Sequence, residues 1–233
     1  MAEEKVIVVI PALNEEKTIS KVIKGVKRYV SEIILVDDAS IDKTPIIARQ
    51  EGAIVISHKR NQGYDKSIDD GFALAAKRGA TIILTFDGDG QHNPEDIPTI
   101  VEPILNGEAD VVVGKRPHYA RLAEYLFAFI AKIKANIDDP LCGLKAYHIR
   151  VYNDIGYFDR IASIGTQLMF NAKTRGYRVV QKNITLNERV DVPRFGRRVK
   201  ANLRIFKAIV KTVYLFGSKN FKGKNLIKEA NWR

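Results

Sequence analysis

At 233 residues and 45% hydrophobic content, the length suits one α/β domain with a large core and a C-terminal appendage, and the single cysteine, Cys142, excludes an intrachain disulfide. No apolar run approaches the roughly 18 residues that a bilayer span requires, and Met-Ala-Glu-Glu-Lys followed only by Val6 to Ile10 is too acidic and too short for a signal peptide. The net charge of +11 is confined to one end: residues 1–193 hold 26 Lys/Arg against 26 Asp/Glu, whereas residues 194–233 hold 12 Lys/Arg and one acid, Glu229. A neutral body, 1–193, and a basic segment, 194–233, are therefore expected, made in the cytoplasm, with an anionic membrane or a nucleic acid as the partner of the basic end.

In chain order, apolar runs alternate with amphipathic segments. Strands are expected near 6–10, 33–36, 53–57, 81–86 and 110–113, with helices near 17–28, 43–51, 65–78 and 95–106. This is the rhythm of βαβ units, which implies a mostly parallel sheet with helices on both faces and ligands at the carboxyl ends of the strands. Beyond residue 114 the rhythm loosens into a helix near 119–135, a loop through Asp138-Asp139-Pro140, a helix near 166–175, a strand near 178–184 and a final helix near 201–216.

Polar motifs stand where the strands end. Val6–Ile10 leads into Pro11-Ala12-Leu13-Asn14-Glu15-Glu16, and Ile33–Val36 into Asp37-Asp38-Ala39-Ser40. Thr81–Phe86 leads into Asp87-Gly88-Asp89-Gly90-Gln91-His92. Two carboxylates one residue apart can receive a diphosphate only with a divalent cation between them, and glycines at 88 and 90 clear the space for phosphate oxygens. A calcium loop of the helix-loop-helix type is excluded, because its sixth and twelfth positions would be His92 and Pro98. An Asp/Gly-rich turn without a ligand is the plainer alternative for this motif, and capping of the helix that starts near Asp42 is the plainer role for Asp37 and Asp38. The first strand is not followed by Gly-x-Gly-x-x-Gly, and no Gly-x-x-x-x-Gly-Lys-Ser/Thr occurs, which argues against dinucleotide and P-loop chemistry. His58, His118 and His148 show no metal-ligand spacing, and His92 reads as a local hydrogen-bonding residue.

Taken together, Val9-Ile10-Pro11-Ala12-Leu13-Asn14-Glu15-Glu16, Val36-Asp37-Asp38-Ala39-Ser40-Ile41-Asp42-Lys43-Thr44, Arg60-Asn61-Gln62-Gly63 with Gly71-Phe72, and Asp87-Gly88-Asp89-Gly90-Gln91-His92 resemble family 2 glycosyltransferases of the GT-A fold. The resemblance covers roughly residues 5–190. Gly114-Lys115-Arg116, Asp139-Pro140-Leu141-Cys142-Gly143-Leu144-Lys145-Ala146-Tyr147 and Ile164-Gly165-Thr166-Gln167 are similar to segments of dolichol-phosphate mannose synthases and polyprenyl-phosphate glucosyltransferases.

That resemblance implies a nucleotide-sugar pocket lined by Pro11, Leu13, Glu15, Val36, Asp38 or its neighbour Asp37, Asp87, Gly88, Asp89 and Gln91. It implies Mg²⁺ or Mn²⁺ on Asp87 and Asp89 with Gln91 nearby, catalytic roles for Asp89 and Arg116, and Asp139 as the base if one exists. Arg116 would meet a phosphate as a bidentate cation, with Arg194 or Lys200 as further acceptor-phosphate ligands; a solvated surface arginine is the alternative. Two departures stand out: Leu13 replaces a tyrosine frequent in the family, and Arg194-Phe195-Gly196-Arg197-Arg198-Val199-Lys200 replaces a Gly-x-Ser-Lys segment of the mannose synthases.

In the final helix Lys200, Arg204, Lys207 and Lys211 fall on one stripe, with Leu203, Phe206, Val210 and Val213 beside it. This pattern suits a helix lying in the headgroup layer of an anionic membrane, joined by the apolar segment from Leu122 to Ala131; packing into the core or a dimer interface is the alternative for both. The expected activity is inverting transfer of a hexose from GDP-mannose, or next UDP-glucose, to a polyprenyl or dolichyl phosphate at the cytoplasmic membrane face. A polysaccharide or protein acceptor, and a sugar-nucleotide-binding module without catalysis whose tail holds nucleic acid, are the rivals. No zinc-finger or RNP-type signature supports nucleic acid.

Overall fold

The computed structural model describes residues 4–119, 121–187 and 198–217. Strand β1, Val6–Ala12, is apolar nearly throughout because both of its faces are covered, as a central parallel strand requires. Strands β2 (Glu32–Asp37) and β4 (Ile82–Thr85) flank it in parallel, and β3 (Ile54–Ser57) pairs outside β2. Helices α1 (Ile19–Val26), α2 (Thr44–Gln50) and α3 (Tyr64–Lys77) make the crossovers. A 3-10 turn, Pro94–Asp96, leads into α4 (Ile97–Leu105), and β5 is Val111–Lys115.

The second half holds α5 (Leu122–Ala135), β6 (Lys145–His148), α6 (Ile149–Ile155), α7 (Gln167–Thr174), β7 (Val179–Asn183) and α8 (Arg198–Gly217). Sheet order is β3-β2-β1-β4-β6-β5-β7, with β6 antiparallel to both neighbours and the other six strands mutually parallel. β6 and α6 are absent from the expectations drawn from the sequence. The strand is only four residues long and carries Lys145 and His148, so it has no apolar run of its own; its place comes from ladders on both sides. No Gly or Pro separates it from α6, whose first turn is capped instead by His148, which accepts the Arg150 N–H at 3.1 Å.

One face of the sheet buries Val6, Val8, Ile10, Leu35, Leu84 and Ala146 under α1, α2 and α4. The other buries Ile7, Val9, Val36, Ile83, Val113 and Tyr147 under α3, α5, α6, α7 and α8. Gly71 of α3 sits where any Cβ would collide with Val9, so the helix lies directly on β1. Ile205, Ala208 and Ile209 of α8 belong to this second core layer, and the Phe216 ring lies 5.5 Å from that of Phe170. Leu203, Phe206, Val210 and Val213 point the other way, into solvent. Helix α8 thus has two apolar sides, one packed on the domain and one uncovered.

Helix α5 shows the same division. Phe127, Ala128, Ala131 and Ala135 are buried, whereas Leu122, Tyr125, Leu126, Phe129 and Ile133 form an exposed stripe in which Phe129 is 64% accessible. Among the described residues, no helix is long and apolar enough to cross a membrane.

Candidate active site

The parallel strands all deliver their carboxyl ends to one edge of the sheet, and the antiparallel β6 delivers its start there. The loops after β1 and β2 are stitched together: Asn14 N–H donates to Ser40 Oγ at 2.8 Å, Glu15 N–H to Thr44 Oγ1 at 2.7 Å, and Ile41 N–H to Asn14 Oδ1 at 2.8 Å. The loop after β4 joins them where the Thr18 hydroxyl donates to the Gly88 carbonyl at 2.7 Å. A Cβ at Gly88 would be in ordinary contact with the Pro11 carbonyl and the Glu15 side chain, so the expected segments Pro11–Glu16 and Asp87–Gln91 meet in space. Pro11 and Leu13 are half-buried at this edge and Glu15 is buried. Val36 is fully buried in the core, which leaves only its backbone to face a ligand.

Asp87 is held between Gly143 and His92. Its carboxylate lies on the Gly143 backbone, at a position where any Cβ would overlap it, and the Thr85 hydroxyl fixes that backbone by donating to the Gly143 carbonyl at 2.6 Å. His92 Nε2 is 3.2 Å from Asp87 Oδ2. Burial opposes ionisation of Asp87, but the His92 hydrogen bond and the charges of His92, Lys145 and Arg116 outweigh it and hold the carboxyl below its usual range. Asp89 Oδ1 accepts the Gln91 N–H at 3.1 Å, which turns the loop back, and the Gln91 carbonyl accepts the Asn187 N–H at 2.8 Å.

Among the described residues, no group of three or more His, Cys, Asp or Glu side chains converges as a self-sufficient metal cage. Two carboxylates in a glycine-lined loop fit a Mg²⁺ or Mn²⁺ ion that takes its remaining ligands from a diphosphate and water, as such ions usually do in nucleotide sites. Because a Cβ at Gly143 would overlap the Asp87 carboxylate, Gly143→Ala is expected to displace that carboxylate and lower turnover about 100-fold while the melting temperature changes little. Unchanged kinetics in that variant would show that the Asp87 position does not matter.

The two aspartates after β2 have different surroundings. Asp37 Oδ1 accepts Ser40 N–H at 3.0 Å. Asp38 Oδ1 accepts Gln62 N–H at 2.7 Å and is 2.8 Å from His58 Nδ1, while Oδ2 accepts Gly63 N–H at 2.8 Å. Asp38 therefore fastens the loop containing Arg60-Asn61-Gln62-Gly63 to the end of β2. Neither residue meets the first turn of α2; Asp42 accepts the Thr44 N–H there at 2.9 Å.

Arg116, at the exit of β5, is not a solvated surface residue. Its Nε donates to Asp139 Oδ2 at 2.7 Å, and Nη2 donates to Asp139 Oδ1 at 2.8 Å and to Glu124 Oε2 at 3.0 Å. Asp139, 1% accessible, also accepts the Arg116 N–H at 3.1 Å. Burial disfavours the guanidinium charge, but the Asp139 hydrogen bonds and charge raise its pKa regardless. Both oxygens of Asp139 are engaged by this fork. Arg194 lies outside the described residues, and Lys200 is described only through the backbone of α8.

Sequence reasoning missed a buried polar cluster beside Asp87. Lys145 Nζ donates to the Gly165 carbonyl at 2.8 Å, Asp65 Oδ1 accepts the Gly165 N–H at 2.6 Å, and Asp159 accepts the Ile161 and Ser163 N–H groups at 3.0 and 3.1 Å. These bonds hold a loop in which Ala162 and Ile164 adopt positive φ of 53° and 58°, a costly conformation for a β-branched residue. The available signal was Lys145 itself, a lone cation within Leu144–Tyr147. Burial, and then the Asp159 charge, raise the Asp65 carboxyl to about 7, against the opposing Gly165 and Ile164 N–H groups and Lys145. A raised carboxyl favours the protonated folded state, so its contribution to stability is present below about pH 4 and lost as pH rises toward 7. Asp65→Asn is therefore expected to gain about 1–2 kcal/mol relative to wild type at pH 8, with the gain shrinking as pH falls to 4. Parallel melting curves for the two proteins across that range would refute this.

A mostly parallel seven-stranded sheet whose carboxyl edge carries a paired-carboxylate loop is the architecture of GT-A glycosyltransferases. Residues 7–123 match the sequence model of Glycosyl transferase family 2, and the chain belongs to that family. It is 30% identical over 195 residues to a dolichyl-phosphate hexose transferase of Haloferax volcanii, covering 78% of this chain and 82% of that one. It is 35% identical over 134 residues to the UDP-N-acetylglucosamine–dolichyl-phosphate N-acetylglucosaminyltransferase of Methanococcus voltae, covering 50% of this chain and about half, 53%, of the relative. In fold, it superposes on glucosyl-3-phosphoglycerate synthase of Mycobacterium tuberculosis, crystallised with Mn²⁺ and UDP-glucose, with a TM-score of 0.76 at 22% identity, over 93% of this chain and 80% of the other.

Proposed function

We propose that the protein transfers a hexose from a nucleotide sugar to a polyprenyl phosphate at a membrane surface. The observation that carries the reading is the Asp87 and Asp89 pair at the carboxyl edge of the sheet, with the Asp87 carboxylate seated on Gly143. Such a pair suits a shared ion whose other ligands are diphosphate oxygens. When bound, Mg²⁺ or Mn²⁺ would neutralise charge on the departing nucleoside diphosphate. The chain's own residues do the rest: His92, Gly143 and Thr85 hold Asp87 in place, Gln91 turns the loop, and the stitched loops after β1 and β2 form the nucleoside side of the pocket.

On the acceptor side, Arg116 is a half-buried cation at the exit of β5. A phosphate monoester has a second pKa of about 6 and is already largely dianionic at pH 7, so it can attack the anomeric carbon without a protein base. This agrees with Asp139, whose carboxylate is committed to Arg116 and so acts as its anchor. The exposed stripes of α5 and α8, with Arg204 and Lys207 exposed beside the second, have the mix of apolar and basic groups that suits an anionic headgroup layer. The names of the dolichyl-phosphate relatives support the same class of acceptor, and that of the Methanococcus voltae relative makes a UDP sugar, beside GDP-mannose, a donor to test. The test is incubation with labelled GDP-mannose, UDP-glucose and UDP-N-acetylglucosamine, each with a short polyprenyl phosphate, following label into organic solvent. Transfer to a polysaccharide or protein with none to lipid would overturn the reading.

A further inference from the structure

The side chain that joins the active-site arginine to the exposed helix α5 is Glu124. It is 3% accessible and sits in the first turn of α5. Its two oxygens are shared between two arginines: Oε1 is 2.9 Å from Arg121 Nη1, and Oε2 is 3.0 Å from Arg116 Nη2. With Asp139 on the far side of Arg116, this makes a chain of alternating charges, Arg121–Glu124–Arg116–Asp139, running from the start of α5 through the exit of β5 to the loop before β6. A buried carboxylate persists only when its charge is matched, and two guanidinium partners match it here. The helix N-terminus adds favourable field for an acid at this position.

The geometry also limits how Arg116 can meet a ligand. Asp139 and Glu124 take its Nε and Nη2 groups, so the edge that remains for a phosphate is Nη1, and its direction is fixed by where the two carboxylates hold the plane of the fork. Asp139 comes from the same catalytic edge, but Glu124 comes from the helix whose opposite face carries Leu122, Tyr125, Leu126, Phe129 and Ile133 in solvent. We infer that Glu124 is a positioning residue: it sets Arg116 for the acceptor phosphate and makes that setting depend on helix α5. The inference rests on the polyprenyl-phosphate reading above. It assigns Glu124 no contact with the nucleotide, whose loops lie at the ends of β1, β2 and β4.

The test separates acceptor from donor. Wild type, Glu124→Gln and Glu124→Asp are compared for KM toward a short polyprenyl phosphate, KM toward the nucleotide sugar, and calorimetric affinity for the nucleoside diphosphate with Mn²⁺. Gln keeps the shape but turns an amide N–H₂ toward one arginine and removes the charge, so the acceptor KM is expected to rise about tenfold or more while the donor KM and nucleotide affinity stay within about twofold. Asp keeps the charge on a shorter arm and is expected to recover part of the loss; it also supplies the acceptor readout if the Gln protein does not fold. Equal changes in both KM values, or none in the acceptor KM, would overturn the role of Glu124. Absence of lipid-phosphate transfer by the wild type would overturn the functional reading, and this inference with it.

Discussion

Asp87→Asn and Asp89→Asn are each expected to reduce transfer about 1,000-fold or more and to remove metal-dependent nucleotide binding, because the two carboxylates would hold the ion on the diphosphate. The change is isosteric in both cases. At position 87 an amide still fits over Gly143, and at position 89 the amide oxygen can still accept the Gln91 N–H, so the melting temperature should shift little. The pH dependence follows from the same surroundings. Asp87 has a lowered pKa, so its ionised form should persist below the pH at which an ordinary aspartate titrates. The measurement is transfer with Mn²⁺ titrated against each variant, alongside wild type in excess EDTA. Full activity in either variant, or in EDTA, would remove the metal from the mechanism.

The parts of this site that were legible in the sequence are those in which one motif follows one strand. Val6–Ile10, Ile33–Val36 and Ile82–Thr85 are buried apolar runs, and each hands over directly to its polar residues, so the carboxyl edge formed by β1, β2 and β4 follows from the order of residues alone. The antiparallel β6 does not, because its four residues have no periodicity to distinguish them and its register is set by β4 and β5, residues far away in sequence. With β6 went everything that its start delivers: the Gly143 cradle for Asp87 and the Lys145 tie to Gly165. Pairings across distance were equally hidden. Arg116 reads from the sequence as a cation at a strand exit, but its partners Asp139 and Glu124 lie 23 and 8 residues on, and no local spacing announces that one guanidinium will bridge them.

Helix α8 shows a different limit. Its basic stripe and one apolar stripe were evident from spacing, but spacing could not say which apolar side meets the domain. The structure seats Ile205, Ala208 and Ile209 on the core and leaves Leu203, Phe206, Val210 and Val213 uncovered, so the helix packs on the domain and also keeps a free apolar face. An exposed stripe of this kind, next to a second one on α5, is unusual for a chain with water on all sides.

Replacing Arg204, Lys207 and Lys211 together by Glu is expected to release the protein from anionic vesicles. Each basic residue at such a surface contributes about 1 kcal/mol, so losing three weakens binding about 100-fold, and three new anions turn the remaining interaction repulsive. All three side chains are exposed; Lys211 also donates to the Ile161 carbonyl at 2.6 Å, so Arg204→Glu with Lys207→Glu serves as the version that leaves that contact intact. Binding of the wild type should weaken as salt rises, because the attraction acts over a Debye length of about 8 Å at physiological ionic strength. Phe129→Ser with Phe206→Ser should weaken binding too, but with little change in its salt dependence, since it removes apolar area and no charge. Nucleotide binding should persist in every variant, because the residues proposed for it lie at the ends of β1, β2 and β4, away from α5 and α8. The measurement is vesicle co-sedimentation at several salt concentrations with nucleotide affinity recorded on the same samples. Sedimentation that is unchanged in the charge-reversed protein while nucleotide binding is retained would mean that α8 does not meet the membrane, and that the uncovered stripes of α5 and α8 have another partner.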